Sequence, residues 1–278
     1  MGRKPRSAGA CWICCEGSRS APLLQTGCAC RGSAGVAHLS CAVAAATHDV
    51  RTWTTCPTCL QEFTGALDVG LAKARWATVE QRAPDDAERL FVANNLAVTL
   101  KESAGDDAGA LKLMEEVLAM RRATLGDEDA DTLDSLINLA LQHTEMGNAN
   151  AALPLALEAV AAARRTLGDS HARTLVAVTC LGAVYNGLGD FRLARPLHEE
   201  VLVQRRAFLG EGHLETMNSV HLLGRALVGL GDIDKGLSLL EEAAERAKQV
   251  LGAVHPSSVH FKTSLDDCRA QPSIPRPS

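Results

Sequence analysis

The strongest constraint on the fold is a spacing. Leu-Gly recurs at Leu125-Gly126, Leu167-Gly168, Leu209-Gly210 and Leu251-Gly252, every 42 residues. Gly105-Asp106, Gly147-Asn148, Gly189-Asp190 and Gly231-Asp232 keep that register, as does a basic column of Arg122, Arg164, Arg206 and Lys248. Columns in one register mark a repeat array, whose units bury their apolar faces only against their neighbours. Inside a unit the periodicity is helical. Leu133, Leu136, Ile137, Ala140 and Leu141 line one face of a helix predicted over Thr132–Met146. Gly147 suits the left-handed residue that ends it, and Asn148 suits the next N-cap. A second helix is expected from about Ala149 to Leu167. Pro154, repeated at Pro196, falls near its start, where a missing N–H does least harm. The basic column falls in the last turn, where cations offset the helix dipole, and reads as a solvated face rather than a binding ladder. His171, His213 and His255 stand at helix starts and read as caps or turn residues.

Composition agrees with helices. Aromatics are 3% of the 278 residues, so the core is built from Leu, Val and Ala, which helices pack more readily than sheets. The net charge of −5 argues against a dedicated nucleic-acid binder. No apolar run reaches the roughly 18 residues of a membrane span. The longest candidate, around Ala151–Ala163, is broken by Glu158, so no membrane insertion is expected. The basic start, Met1–Arg6, lacks the apolar stretch of a secretory signal. Its run Arg3-Lys4-Pro5-Arg6 reads as a solvated tail ahead of a nuclear signal. The expected compartment is the cytoplasm, with the nucleus open.

Eight of the ten cysteines lie before residue 60. In a reducing compartment such crowding points to metal rather than disulfides. The spacings are Cys11-x2-Cys14, Cys28-x-Cys30, His38-x2-Cys41 and Cys56-x2-Cys59. Each pair can reach one ion, and seven thiolates with one imidazole make two closed tetrahedral zinc sites. Closed sites leave no position for water, so the two Zn²⁺ are structural. Cys15 rivals Cys14 with a poorer turn spacing, and His48 falls outside any pair and reads as a surface residue.

The string Cys28-Ala29-Cys30-Arg31-Gly32-Ser33, with seven residues between Cys30 and His38, resembles the RING-CH (RING-variant) zinc finger of the membrane-associated RING-CH ubiquitin ligases. A PHD finger shares the ligand set, but it usually has a wider third pair, a shorter spacer and a Trp two residues before the seventh ligand. Here Trp53 is three before Cys56. The resemblance implies a cross-brace over residues 8–64. Cys11, Cys14, His38 and Cys41 would hold one Zn²⁺, and Cys28, Cys30, Cys56 and Cys59 the other. It also implies an E3 ubiquitin ligase that docks an E2 carrying thioester-linked ubiquitin, without a covalent nucleophile of its own. By position the docking groove takes Ile13 and Pro57, with Trp53 supplying an aromatic or packing against the zinc core. Two departures weaken the carry-over. Ala45 stands where many relatives place a Trp, and Leu60-Gln61 follow the last ligand where active domains usually carry a basic residue.

The repeats resemble tetratricopeptide repeats of the kinesin-light-chain type, through Gly189-Asp190-Phe191-Arg192-Leu193-Ala194, Asn94-Asn95-Leu96-Ala97 and Leu167-Gly168-Asp169-Ser170-His171. This implies an α-α superhelical solenoid over residues 84–269, ending in a capping helix near Ser257–Cys268. Its concave groove would bind a peptide or protein through Asn95 and Asn138. Cys180 and Leu222 follow at that position, which suggests a more apolar preference. The first unit carries one extra residue between Ala97 and Gly105, so its register slips once. A connecting helix is expected within residues 65–83, with Leu67, Leu71, Ala74 and Thr78 on one face and Trp76 and Val79 on the flank, packed on the first repeat. Tails are expected at 1–7 and 270–278. The whole is a mainly α chain, read as a RING-type ligase whose solenoid recruits a protein. The rival is a non-enzymatic zinc-finger and repeat adaptor. A hydrolase is disfavoured, since no nucleophile elbow, phosphate loop or His-Glu-x-x-His occurs.

Overall fold

The computed structural model describes residues 11, 13, 21–25, 36–57 and 63–270. Cys14, Cys15, Cys28, Cys30, Cys59, Leu60 and Gln61 lie outside these residues, as do the expected tails apart from Ala270. The chain divides into two units, Met1–Thr124 and Leu125–Ser278.

The first unit opens with a short antiparallel pair, β1 (Leu23–Gln25) and β2 (Val36–His38), in the register Leu23↔His38, Leu24↔Ala37 and Gln25↔Val36. Helix α1 (Leu39–His48) starts directly from β2, and a 3-10 turn spans Val50–Trp53. Then come α2 (Gly65–Val79), α3 (Ala87–Ala104) and α4 (Asp107–Leu125). Helix α2 packs on α3, as expected of the connecting helix. Leu67 and Leu71 are its inward residues, whereas Thr78 is exposed. Asp86 caps α3 by accepting the N–H of Arg89 at 2.8 Å.

The second unit runs α5 (Ala130–Glu145), α6 (Ala149–Leu167), α7 (Ala172–Leu188), α8 (Phe191–Leu209), α9 (Leu214–Gly229), α10 (Ile233–Leu251) and α11 (Pro256–Ala270). Each helix packs on the one before and the one after, and α5, α7, α9 and α11 also touch in series. That is the nearest-neighbour pattern of a solenoid.

The 42-residue columns are the joints of this array. At Gly147, Gly189 and Gly231 φ is +76°, +78° and +84°, the left-handed region that disfavours a Cβ. Asn148 N–H reaches His143 O, and Gly147 N–H reaches Thr144 O, at 2.8 and 3.0 Å. The same double closure recurs at Gly189 and Gly231, and is a Schellman motif. At Gly105 the extra residue sits inside the closure. Asp106 N–H returns to Leu100 O, one residue further back than at the other joints. The register slip is thus absorbed in a wider turn.

Asn148 stands at the N-cap of α6, but its side chain makes no cap bond, contrary to expectation. The Schellman turn positions its backbone instead. True side-chain caps occur at the other joints. Asp129 accepts from Asp131 N–H, and Nδ1 of His171, His213 and His255 accepts from the N–H two residues on. Pro154 and Pro196 are each the sixth residue of their helix, deeper than the first turn, so each deletes one internal i→i−4 bond.

Small residues let the helices approach. Ala152, Ala156, Ala159 and Ala163 form the inner face of α6. A Cβ on Gly236 of α10 would lie 2.8 Å from Gly224 O on α9 and 2.6 Å from Val228 Cγ2. The basic column meets the unit ahead: Arg164 pairs with Glu200 at 2.7 Å and Arg206 with Glu242 at 3.4 Å. These pairs are solvent-exposed, which makes each worth a fraction of a kcal/mol, about 0.5.

Candidate functional site

Strand β2 delivers His38 to the start of α1, where it is the N-cap residue. Cys41 follows three residues later in the first helical turn, which places imidazole and thiol side by side. Cys11 closes on them from the start of the chain. Its Sγ accepts the backbone N–H of His38 at 3.4 Å. Cys41 Sγ lies 3.8 Å from His38 Nδ1. The three donor atoms all fall within 4.8 Å of one another. Cys11 and His38 are 1% and 2% exposed. Zinc with bonds near 2.3 Å to sulfur and 2.0 Å to nitrogen needs donor separations of roughly 3.5–3.8 Å. The His38–Cys41 distance meets that, and a backbone N–H on sulfur is the outer bond that stabilises a thiolate ligand. The donor set, soft and dry, suits Zn²⁺.

The structure therefore brings together three of the four residues expected at the first site. Cys14 lies outside the described residues. Of the second set, Cys56 is buried behind the 3-10 turn, and Cys28, Cys30 and Cys59 lie outside. His48, at the end of α1, is exposed.

Ile13 is half-buried and packs on the finger core, and Pro57 is exposed. Trp53 is only 7% exposed, packed with Ala42, Ala46, Cys56, Phe63, Leu67 and Leu71. It supports the finger from within, the packing role left open for it above. Leu67 and Leu71 belong to this core although they follow the last cysteine. The spacing of the cysteines gives no hint of them, whereas the i, i+4 apolar pair does.

Asn95 on α3 and Asn138 on α5 are half-buried. Asn95 lines a cavity of about 20 Å³ with Trp53, Thr54, Asp68 and Thr99. Cys180 and Leu222, which follow Asn138 in register, are buried. Burial pushes the Cys180 thiol up to about 12, so it is chemically inert.

Two buried histidines escaped the sequence reading. His198 on α8 packs against Gly182, and Asn186 Nδ2 lies 3.2 Å from its Nε2 and 3.3 Å from Leu222 O. His221 on α9 stacks on Phe261 at 4.8 Å and meets Ser264 Oγ at 2.9 Å. Burial pulls their pKa values down to about 4 and about 3. A Ser–His contact with so weak a base is a packing arrangement, not a nucleophile pair. Their one sequence signal is a polar residue at an inward helical position.

Comparison with known proteins follows these modules. A model of the RING-variant domain matches residues 11–59. A tetratricopeptide-repeat model matches residues 88–165 and 172–249. RING-variant domains bind zinc. Among solved structures, nearly identical TPR-like repeats from Podosopora anserina, described as of kinesin light chain type, match at 25% identity with a TM-score of 0.53, over 66% of this chain and 86% of theirs. A variant of those repeats gives a TM-score of 0.55 at the same identity, over 66% of this chain and 87% of its own. BtubC (BKLC) from P. vanneervenii matches at 20% identity with a TM-score of 0.52, over 78% of this chain and 89% of its own. No curated protein matches significantly. No helix among the described residues is long and apolar enough to cross a membrane. With repeats matched over more than half its length, the chain belongs to the tetratricopeptide-repeat family and carries a RING-variant domain ahead of its repeats.

Proposed function

We propose that the chain is a RING-type E3 ubiquitin ligase, its finger docking an E2 loaded with ubiquitin and its repeats recruiting a protein substrate or scaffold. The observation that carries this reading is the convergence of Cys11, His38 and Cys41 inside the RING-variant match. Cys14 completes that ligand set, and Cys28, Cys30, Cys56 and Cys59 form the second. When bound, the two zinc ions supply fold rather than chemistry: they tie down a segment too poor in apolar residues to fold alone. The finger's own residues then do the work. Ile13 and Pro57 offer the apolar docking contact, and Trp53 fixes the turn beneath it. The rate gain is orientation of the E2 thioester toward an acceptor lysine, with no covalent step on this chain. Asn95 and Asn138 are the polar groove contacts of the repeats. Thiolate ligands place the chain in a reducing compartment, the cytoplasm or nucleus.

The test is autoubiquitination with purified E1 and a panel of E2s, alongside zinc analysis. Ubiquitin chains that vanish in Ile13→Ala while zinc content stays at two per chain support the ligase. Zinc-loaded protein that supports no chains with any E2 sinks it. Leu60 and Gln61 after the last cysteine favour the second reading, an adaptor whose finger is an interaction knob. That reading predicts zinc binding and peptide binding without ubiquitin transfer.

A further inference from the structure

Helix α2 has two working faces. Leu67 and Leu71, both 0% exposed, and Ala74 complete the finger core around Trp53, Cys56 and Phe63. Ala72 and Trp76 pack instead with Leu96 and Leu100 of α3 and with Ala110. Polar contacts reinforce the second face. Ser103 Oγ donates to Asp68 at 2.8 Å, and the Arg89 guanidinium lies 5.6 Å from the Trp76 ring centre.

The first face is fitted closely. A Cβ on Gly70 would lie 2.7 Å from Leu39 Cδ1. Leu39 sits between His38 and Cys41, so α2 presses on the residue flanked by two of the clustered metal donors. In the second unit α6 lies between α5 and α7, α8 between α7 and α9, and α10 between α9 and α11. Helix α2 lies against α3 in the same manner. Its other face meets α1, β1 and the 3-10 turn, where a repeat would supply a helix.

From this geometry we infer that the finger is the amino-terminal cap of the repeat array: α2 acts as the second helix of an incomplete unit, the finger replaces the first, and zinc occupancy sets the order of the first repeat. Solenoid ends need a dedicated cap, because the terminal apolar face has no neighbour. Here that face is covered by a segment whose own fold depends on metal. Loss of zinc, or oxidation of its thiolates, would therefore loosen α2 and α3 as well as the finger. The inference rests on the metal-binding reading above, but not on ligase activity.

Hydrogen exchange on the full zinc-loaded chain tests it, with zinc content measured in the same sample. Chelation with EDTA under reducing conditions should speed exchange in α2 and α3 about tenfold or more, with α7–α9 unchanged. Coupling is reciprocal, so Leu71→Ala, remote from every metal donor, should release zinc at about tenfold lower chelator concentration. Gly70→Val should act in the same direction by crowding Leu39. If zinc leaves and residues 36–57 lose protection while α2 and α3 keep theirs, the cap is refuted and the metal reading stands. An unchanged chelator midpoint in Leu71→Ala refutes it equally. A chain that holds no zinc overturns both.

Discussion

Acidification from about pH 7.5 to 5.5 should remove roughly 3 kcal/mol of stability from the second unit, through His198 and His221. Both imidazoles are 1% exposed. Burial is the main cause of their depressed pKa values, about 4 for His198 and about 3 for His221, against an ordinary 6.5. Nearby cations act the same way: Arg205 and Arg225 on His198, and His260 and Arg225 on His221. For His198, a backbone hydrogen bond with Gly182 works in the opposite direction. With the Asn186 amide donating to Nε2, His198 is neutral and carries its proton on Nδ1. The sign follows from the direction of the shift. A histidine whose folded pKa is depressed contributes its full stability above the unfolded value, and loses it as pH falls toward the folded value. At about pH 5.5 an unfolded histidine is protonated about ten to one, which favours unfolding by about 1.4 kcal/mol per residue, while the folded rings stay neutral. Two such residues give the total, a large share of a margin of typically 5–15 kcal/mol. Urea denaturation followed by helical circular dichroism at both pH values measures it. The finger also weakens in acid, so the informative quantity is the difference between wild type and the double variant His198→Gln, His221→Gln. The variant starts less stable and loses about 3 kcal/mol less on acidification. An equal pH dependence in both proteins would refute the reasoning. So would histidine NMR signals of these two residues titrating near the ordinary 6.5.

Other expectations concern packing and caps. Gly236→Ala forces a methyl onto Gly224 O and Val228, and should cost about 1–3 kcal/mol in denaturant unfolding. Arg205, buried and bonded to Ser219 Oγ at 2.8 Å and to the Glu215 carboxylate at 2.7 Å, should cost about 2 kcal/mol on change to Met, read from the same melts. His213→Ala removes the Nδ1 cap on Glu215 N–H and should cost about 1 kcal/mol, whereas His213→Asp, which matches Asp129 in register, should recover it at neutral pH.

Much of the solenoid was legible because its signals are local. The Leu-Gly and Gly-Asp columns mark helix ends, and the helix expected from Ala149 to Leu167 is α6 with those bounds. The three-residue interval between His38 and Cys41 is likewise a helical turn, so their meeting follows from sequence alone. What escaped depends on partners distant along the chain. Asn148 fits an N-cap by composition, but the turn before it already fixes its backbone. His198 departs from its column, and nothing near it in sequence announces Gly182 or Asn186 as its neighbours. The inward turn of Trp53 depends on Leu67 and Leu71, beyond the last cysteine. Helix α2 was expected to touch the repeats, and that face is visible in its pattern. Its second face is not, because two apolar stripes on one short helix blur each other's periodicity.

The forward pairing of Arg164 with Glu200 and of Arg206 with Glu242 has a genealogical consequence. Every block of 42 residues presents the same plug and the same socket to whatever follows. Excising or duplicating one whole block inside the second unit would rejoin matching ends without a new junction. A gene of this design can lengthen or shorten by recombination between its own copies, and each product inherits ready-made seams.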